Sequence, residues 1–315
     1  MDSVRCVKDF GDSLAGDEAR MLELAKKKIL GGKRKFSGLR YEVGCATGVL
    51  MLNQISGLDW RTSLPKPARV VVPMDSQDPE TWRYALAYAL KIGGAAHPPA
   101  ESYILLTHTK QQLKSTALGD HVGPQVAKAL LANKSVSLSN GGQLRHETLQ
   151  TLRGTGRGAV IIAYFAEDKL LETLDGLDVV AGVVAVPDIA GQTDNWIARW
   201  NPIVHGQQRS ETPAPLIADS VVANALKALS GWINLSHAVM NPRDKEHADE
   251  TLRILRAKGH QLEPEQIKSW AIRNGWKPGA ADELAKLATR IRDLKTKPSL
   301  GSFNNADGKY ERWSA

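Results

Sequence analysis

Cysteine is nearly absent: Cys6 and Cys45 are the two thiols in 315 residues. That excludes a disulfide scaffold and a four-cysteine zinc site. Long apolar runs are missing as well. None reaches the roughly 18 residues that a membrane-spanning helix needs. The opening MDSVRCVKDFGDS lacks the basic-then-apolar order of a signal peptide, so a cytoplasmic location without membrane contact is expected. No G-x-x-x-x-G-K-[ST] occurs, which disfavours ATP hydrolysis by a Walker site. No G-x-S-x-G occurs either. The eight histidines are scattered, with no H-x-x-x-H near an acid and none beside a cysteine pair. No metal site and no dedicated cofactor are expected. Internal repeats and low-complexity tracts are also absent.

What remains is ordinary globular material, 42% hydrophobic and 24% charged. The length suggests two domains of about 150 residues each. The net charge of +7 is unevenly spread. Residues 1–70 carry 13 basic and 8 acidic side chains, residues 71–242 carry 13 and 15, and residues 243–315 carry 15 and 11. A slightly acidic middle therefore lies between two basic ends, which points to an anionic partner at the periphery.

Hydrophobic periodicity divides the chain into five parts: a basic segment 1–68, an α/β domain 69–205, a linker 206–215, a helical domain 216–297 and a tail 298–315. In the first, GDEARMLELAKKKIL at 16–30 reads as a helix stopped by Gly31 and Gly32. In the second, RVVVPM (69–74), YILLTH (103–108), SVSLS (135–139), AVIIAYF (159–165) and DVVAGVVAVP (178–187) read as strands. Helices are expected near 79–92, 119–132, 142–153, after Glu167 and over 193–200. Alternating strands and helices, with near-continuous Val/Ile/Leu runs, predict a parallel, doubly wound sheet, Rossmann-like or flavodoxin-like. An all-α region over 216–233, 244–258, 264–274 and 279–294 follows. The tail docks through its aromatics or stays loose.

Ligands of open parallel sheets bind beyond the carboxyl ends of the strands. The residues expected there are Asp75 and Ser76, His108 and Lys110, Asn140 and Gly141, Glu167 and Asp168, and Asp188. Asp75, His108, Lys110 and Asp188 are the candidates for acid–base chemistry if they converge. RGTGRG at 153–158 follows an expected helix and precedes a strand, the reverse of a phosphate loop, and reads as a turn. The helices 264–274 and 279–294, joined by GWKPG, have helix-turn-helix spacing. Arg273, Lys277, Lys286 and Arg290 there, with Lys26, Lys27, Lys28, Lys33, Arg34, Lys35 and Arg40 near the start, form the candidate phosphate-contacting set. Against it, the second helix opens with Asp282 and Glu283, which repel phosphate.

Two resemblances add to this. YEVGCATGVLML at 41–52 resembles the first motif of Rossmann-type methyltransferases. The resemblance implies S-adenosylmethionine held by Glu42, Gly44 and Gly48, with Ala46 in place of the usual middle glycine. No clear strand precedes it. NLSHAVMNPRDKEHADETLRILRAKGHQLEPEQIKSWAIRNGW, preceded by VVAVPDIAGQTDNWIARWNP, resembles the ending of bacterial proteins of unestablished function. That resemblance implies an α/β sheet followed by helices and no activity.

Three functions follow as expectations. The first is a non-enzymatic nucleic-acid-binding protein with an α/β scaffold and basic ends. The second is an enzyme or sensor that takes a nucleotide-like ligand, S-adenosylmethionine included, at the strand carboxyl ends. The third is an assembly protein whose Tyr310 and Trp313 bury against another copy or another chain.

Overall fold

The computed structural model describes residues 67–152, 158–177, 180–210 and 212–315. All belong to one compact unit. The basic segment 26–40, the segment 41–52 and both arginines of RGTGRG lie outside the described residues.

Seven strands form one sheet: β1 (Ala68–Val71), β2 (Ser102–Thr107), β3 (Val136–Ser137), β4 (Gln143–Thr148), β5 (Val160–Ala166), β6 (Gly182–Pro187) and β7 (Ile203–Val204). Their spatial order is β3-β4-β2-β5-β6-β1-β7. Every pairing is parallel except β3 with β4. The Val/Ile/Leu runs make this arrangement because both faces of the sheet are covered. Val70, Tyr103, Leu105, Ile162 and Val184 point to one side. There they meet α1 (Pro79–Ala95), α2 (Lys110–Ser115), α3 (Ala117–Val122) and α4 (Pro124–Leu131). Val71, Ile104, Ile161, Val183 and Ala185 point to the other, against α5 (Asp168–Asp175) and α6 (Asp194–Trp200). Each such side chain, fully buried, contributes about 1.5–3 kcal/mol. Gly182 lets α1 approach closely. A Cβ there would lie 2.6 Å from Ile92 Cγ2 and 2.8 Å from the Ala68 carbonyl oxygen.

One expected element has the wrong type. The segment read as a helix over 142–153 contains β4 instead. Leu144, His146 and Thr148 are buried, while Gln143, Arg145 and Glu147 alternate outward. The period is two, but two of the three inward residues are polar, so hydrophobicity alone hides it. This also relocates Asn140 and Gly141. They form the turn into β4, and Asn140 Nδ2 donates to the Tyr103 hydroxyl at 2.7 Å, at the amino edge of the sheet. The single helix expected near 119–132 is two short ones, α3 and α4, broken at Gly123, and α2 precedes them.

The C-terminal region is helical: α7 (Ser220–Ser230), α8 (Pro242–Ala257), α9 (Pro264–Arg273), α10 (Pro278–Arg292) and α11 (Ala306–Ser314). Asp219 caps α7 by accepting from the Val221 and Val222 amides, and Asn241 caps α8 by accepting from Asp244 N. Pro242, Pro264 and Pro278 open their helices, where no amide partner is lost. Leu226, Leu252, Leu255, Ile267, Leu284 and Ile291 form the shared core. The tail is ordered: Trp313 is buried, and its carbonyl accepts from Asn224 Nδ2 at 2.9 Å. Among the described residues no helix is long and apolar enough to cross a membrane.

The helices attach to the sheet's second face through a buried carboxylate. Asp175, at the end of α5, accepts from Trp196 Nε1 (3.2 Å), Trp200 Nε1 (3.0 Å) and the Arg199 guanidinium (2.9 Å). Arg69 of β1 lies 3.9 Å away and stacks 3.5 Å above the Trp200 ring. Arg199 also reaches Ser269 of α9 at 3.3 Å. Burial pushes the Asp175 carboxyl up, and these donors and cations pull against it. Burial likewise lowers Arg69, to about 10, so it stays charged at neutral pH. Removing one charge from such a buried set leaves the others uncompensated. Asp175→Asn is expected to cost about 3–5 kcal/mol in urea unfolding, with the sheet and helices losing structure together.

Candidate functional site

The chain leaves β2 toward β4 and leaves β5 toward β6, in opposite directions along the sheet. The crevice between the carboxyl ends of β2 and β5 is therefore a topological switch point, the place where open α/β sheets take ligands.

His108 follows β2 directly. Its backbone amide donates to the Gln112 side chain at 2.8 Å, which fixes the start of α2. Its Nε2 lies 3.1 Å from the Phe165 carbonyl oxygen and 3.7 Å from the Glu167 carboxylate. A carbonyl only accepts, so Nε2 carries a proton, and in the neutral ring Nδ1 is a lone pair. Among the described residues nothing bonds Nδ1, and the side chain is 23% exposed. A base with one nitrogen anchored, a carboxylate behind it and the other nitrogen open is the arrangement of a general base.

The anchor is itself unusual. Phe165 is buried but has φ +59°, the left-handed region, beside an irregularity in the β5–β6 register. A bulky residue there costs about 1–3 kcal/mol and persists only where its surroundings hold it. The Phe165 ring packs edge-on against Tyr164, with centroids 5.1 Å apart. The Tyr164 hydroxyl donates to the Ser76 carbonyl at 3.1 Å. Burial pushes that phenol up, and Asp75 and Asp78 push the same way.

Ser76, 1% exposed, donates its hydroxyl to Asp188 at 2.8 Å and so links the ends of β1 and β6. Asp75 turns inward on its own loop, accepting from Gln77 N at 2.8 Å. Two hydrogen-bonded groups thus flank the Tyr164–Phe165 pair, Asp188 with Ser76 on one side and His108 with the Phe165 carbonyl on the other.

Behind β2 lies a second histidine. His146 Nε2 is 2.9 Å from the Thr107 hydroxyl, which gives its own proton to the Thr109 carbonyl at 2.8 Å. His146 therefore donates through Nε2, and its buried Nδ1 has no partner. Burial, with Lys110 nearby, lowers its pKa to about 4 against Glu147 pulling upward.

Of the four acid–base candidates, Asp188 and Asp75 lie together around Ser76, while His108 pairs with Glu167 on the other side of Phe165. No hydrogen bond or ion pair among the described residues joins His108 to either aspartate. Lys110 turns away, donating to Asn133 Oδ1 at 2.8 Å. His146, Thr107 and Phe165 escaped the sequence reading. The period-two spacing of Leu144, His146 and Thr148 is the signal that could have found the first.

The C-terminal candidates are engaged within the chain. Arg273 donates to the Ala214 carbonyl at 3.4 Å and Lys277 to the Gly176 carbonyl at 3.4 Å. Lys286 pairs with Asp282, Arg290 with Asp249, and Lys268 with Glu172. The first turn of α10, which a base-reading helix would insert into a groove, meets α5. A Cβ on Gly176 would sit 3.6 Å from Pro278 Cδ. Among the described residues no cluster of three or more His, Cys, Asp or Glu could hold a metal ion.

Residues 218–314, the span of α7–α11, match the model of a family described as a domain of unknown function, DUF1889. Neither the curated proteins nor the solved structures hold a match. The family match agrees with the resemblance of the C-terminal pattern and carries no activity.

The low His146 pKa gives a sign to the pH dependence of stability. The unfolded ring takes its proton near 6.5, the folded one near 4. The stability it contributes is present above about pH 6.5 and is lost as the pH falls toward 4, by up to about 3 kcal/mol. In urea unfolding near pH 7.5 and near pH 4.5, His146→Gln should lose less stability across that interval than the parent protein.

Proposed function

We propose that this protein binds a small nucleoside-type ligand in the crevice beyond β2 and β5, with His108 as the proton-accepting group. The observation that supports this most directly is the His108 ring, anchored through Nε2 by a left-handed Phe165, backed by Glu167 and open at Nδ1. Chemistry narrows the ligand. Asp75, Glu167, Asp168 and Asp188 make this edge acidic, which suits ribose hydroxyls and cationic groups and opposes polyphosphates. S-adenosylmethionine, a nucleoside with a sulfonium charge, meets both conditions. Glu42, Gly44 and Gly48 would join it if the 41–52 motif reaches the same edge.

A thermal-shift series with S-adenosylmethionine, adenosine and ATP tests this reading. At a hundredfold excess over Kd, bound ligand adds about 2.7 kcal/mol of stability, a readily measured rise in Tm. S-adenosylmethionine or adenosine should raise Tm more than ATP, and His108→Gln together with Asp188→Asn should abolish the rise. No shift with any of the three, or a shift indifferent to both substitutions, sinks the proposal.

Nucleic-acid binding is the second reading. Its support is the basic segment with Lys26, Lys27, Lys28, Lys33, Arg34, Lys35 and Arg40, together with the exposed Lys295 and Lys297. It gains little from Arg273, Lys277, Lys286 and Arg290, whose charges have internal partners. Neutralising about six phosphates implies roughly a thousandfold loss of affinity between about 50 and 200 mM salt. Fluorescence anisotropy with a labelled duplex measures it. Replacing the six residues Lys26–Lys28 and Lys33–Lys35 by Ala should remove most of the salt dependence.

A further inference from the structure

A hollow of about 210 Å³ lies among α7, α8 and α11, far in sequence from the strand ends. Its apolar part is built by Ala228, Leu229 and Trp313. At its edge stands Trp232, 74% exposed, the most exposed large hydrophobic side chain among the described residues. The His247 ring lies beside it, centroids 6.1 Å apart and inclined by 40°. Drug-sized sites run to about 300–1,000 Å³, so this hollow accommodates one or two fused rings.

The charges define the rest of the ligand. Glu250 and Lys309 both line the hollow and neutralise each other at 2.6 Å. Arg312 lines it too, is exposed, and has no hydrogen bond or ion pair among the described residues. The site therefore presents one uncompensated guanidinium beside an aromatic wall. Guanidinium planes pair with carboxylates through two parallel hydrogen bonds, and indole faces stack on flat rings. We propose that the hollow is a binding site for a small aromatic monocarboxylate, its ring stacked on Trp232 and its carboxylate on Arg312. Every lining residue falls within 218–314, so the site belongs to the helical module and not to the sheet.

The test uses the full chain, titrated by calorimetry with indole-3-carboxylate and with its neutral amide. The carboxylate should bind at least about tenfold more tightly than the amide. Arg312→Gln should erase that difference and leave amide binding unchanged. Trp232→Ala should weaken both ligands. Both side chains are exposed, so neither substitution threatens the fold, and a circular-dichroism melt verifies this. Equal affinity for acid and amide, no binding of either, or carboxylate binding that survives Arg312→Gln overturns the proposal.

Discussion

One carboxylate holds the molecule's parts in register. Asp175 sits where the end of α5 meets the start of β1: three donors of α6 converge on it, and Arg69 of β1 lies 3.9 Å away. Its partner Arg199 continues to α9, so the same charge network that closes one face of the sheet also seats the helices on it. Lys268 with Glu172, and Lys277 with the Gly176 carbonyl, extend the contact along α5. A buried ion network adds little net stability against an apolar substitute, but it is intolerant of a missing member. Its contribution here is positional: the Arg199 guanidinium bridges Asp175 and Ser269.

The same seating places the first turn of α10 against the end of α5. Lys268 and Lys277 face the docked α5, while Lys286 and Arg290 pair with Asp282 and Asp249 and stay largely exposed. At the strand ends polar groups are arranged with lone pairs and strained backbone left over. The unpartnered His146 Nδ1 and the left-handed Phe165 are local costs that the surrounding packing sustains. Such costs gather where a protein meets a ligand.

The sequence made the sheet's centre readable because Val70–Val72, Tyr103–Leu106, Val160–Tyr164 and Val183–Val186 are buried on both faces, and continuous apolar runs say so. Two helix starts were read where they occur, at Pro79 and Pro264, while α8 and α10 begin slightly earlier than expected, at Pro242 and Pro278. β4 was not, because His146 and Thr148 face inward, and the partner of His146 Nε2, Thr107, is 39 positions away, a fact no short window of residues contains. The partnership of His108 with Glu167 was equally hidden, since 59 positions separate them and only strand order brings them together. Tail docking was half visible: its aromatics were evident, but not that Asn224 would hold the last turn of α11.

The sheet ends, as described, in β3 and β7, each two residues long. A long bare edge strand would offer a row of unpaired amides and carbonyls as a template for another chain. Two-residue edges offer almost none. β3 also runs against its neighbour, and the chain beyond β7 turns away at Gly206 with φ +78°. Among the described residues, the outermost strands thus give another chain only two residues each to pair with.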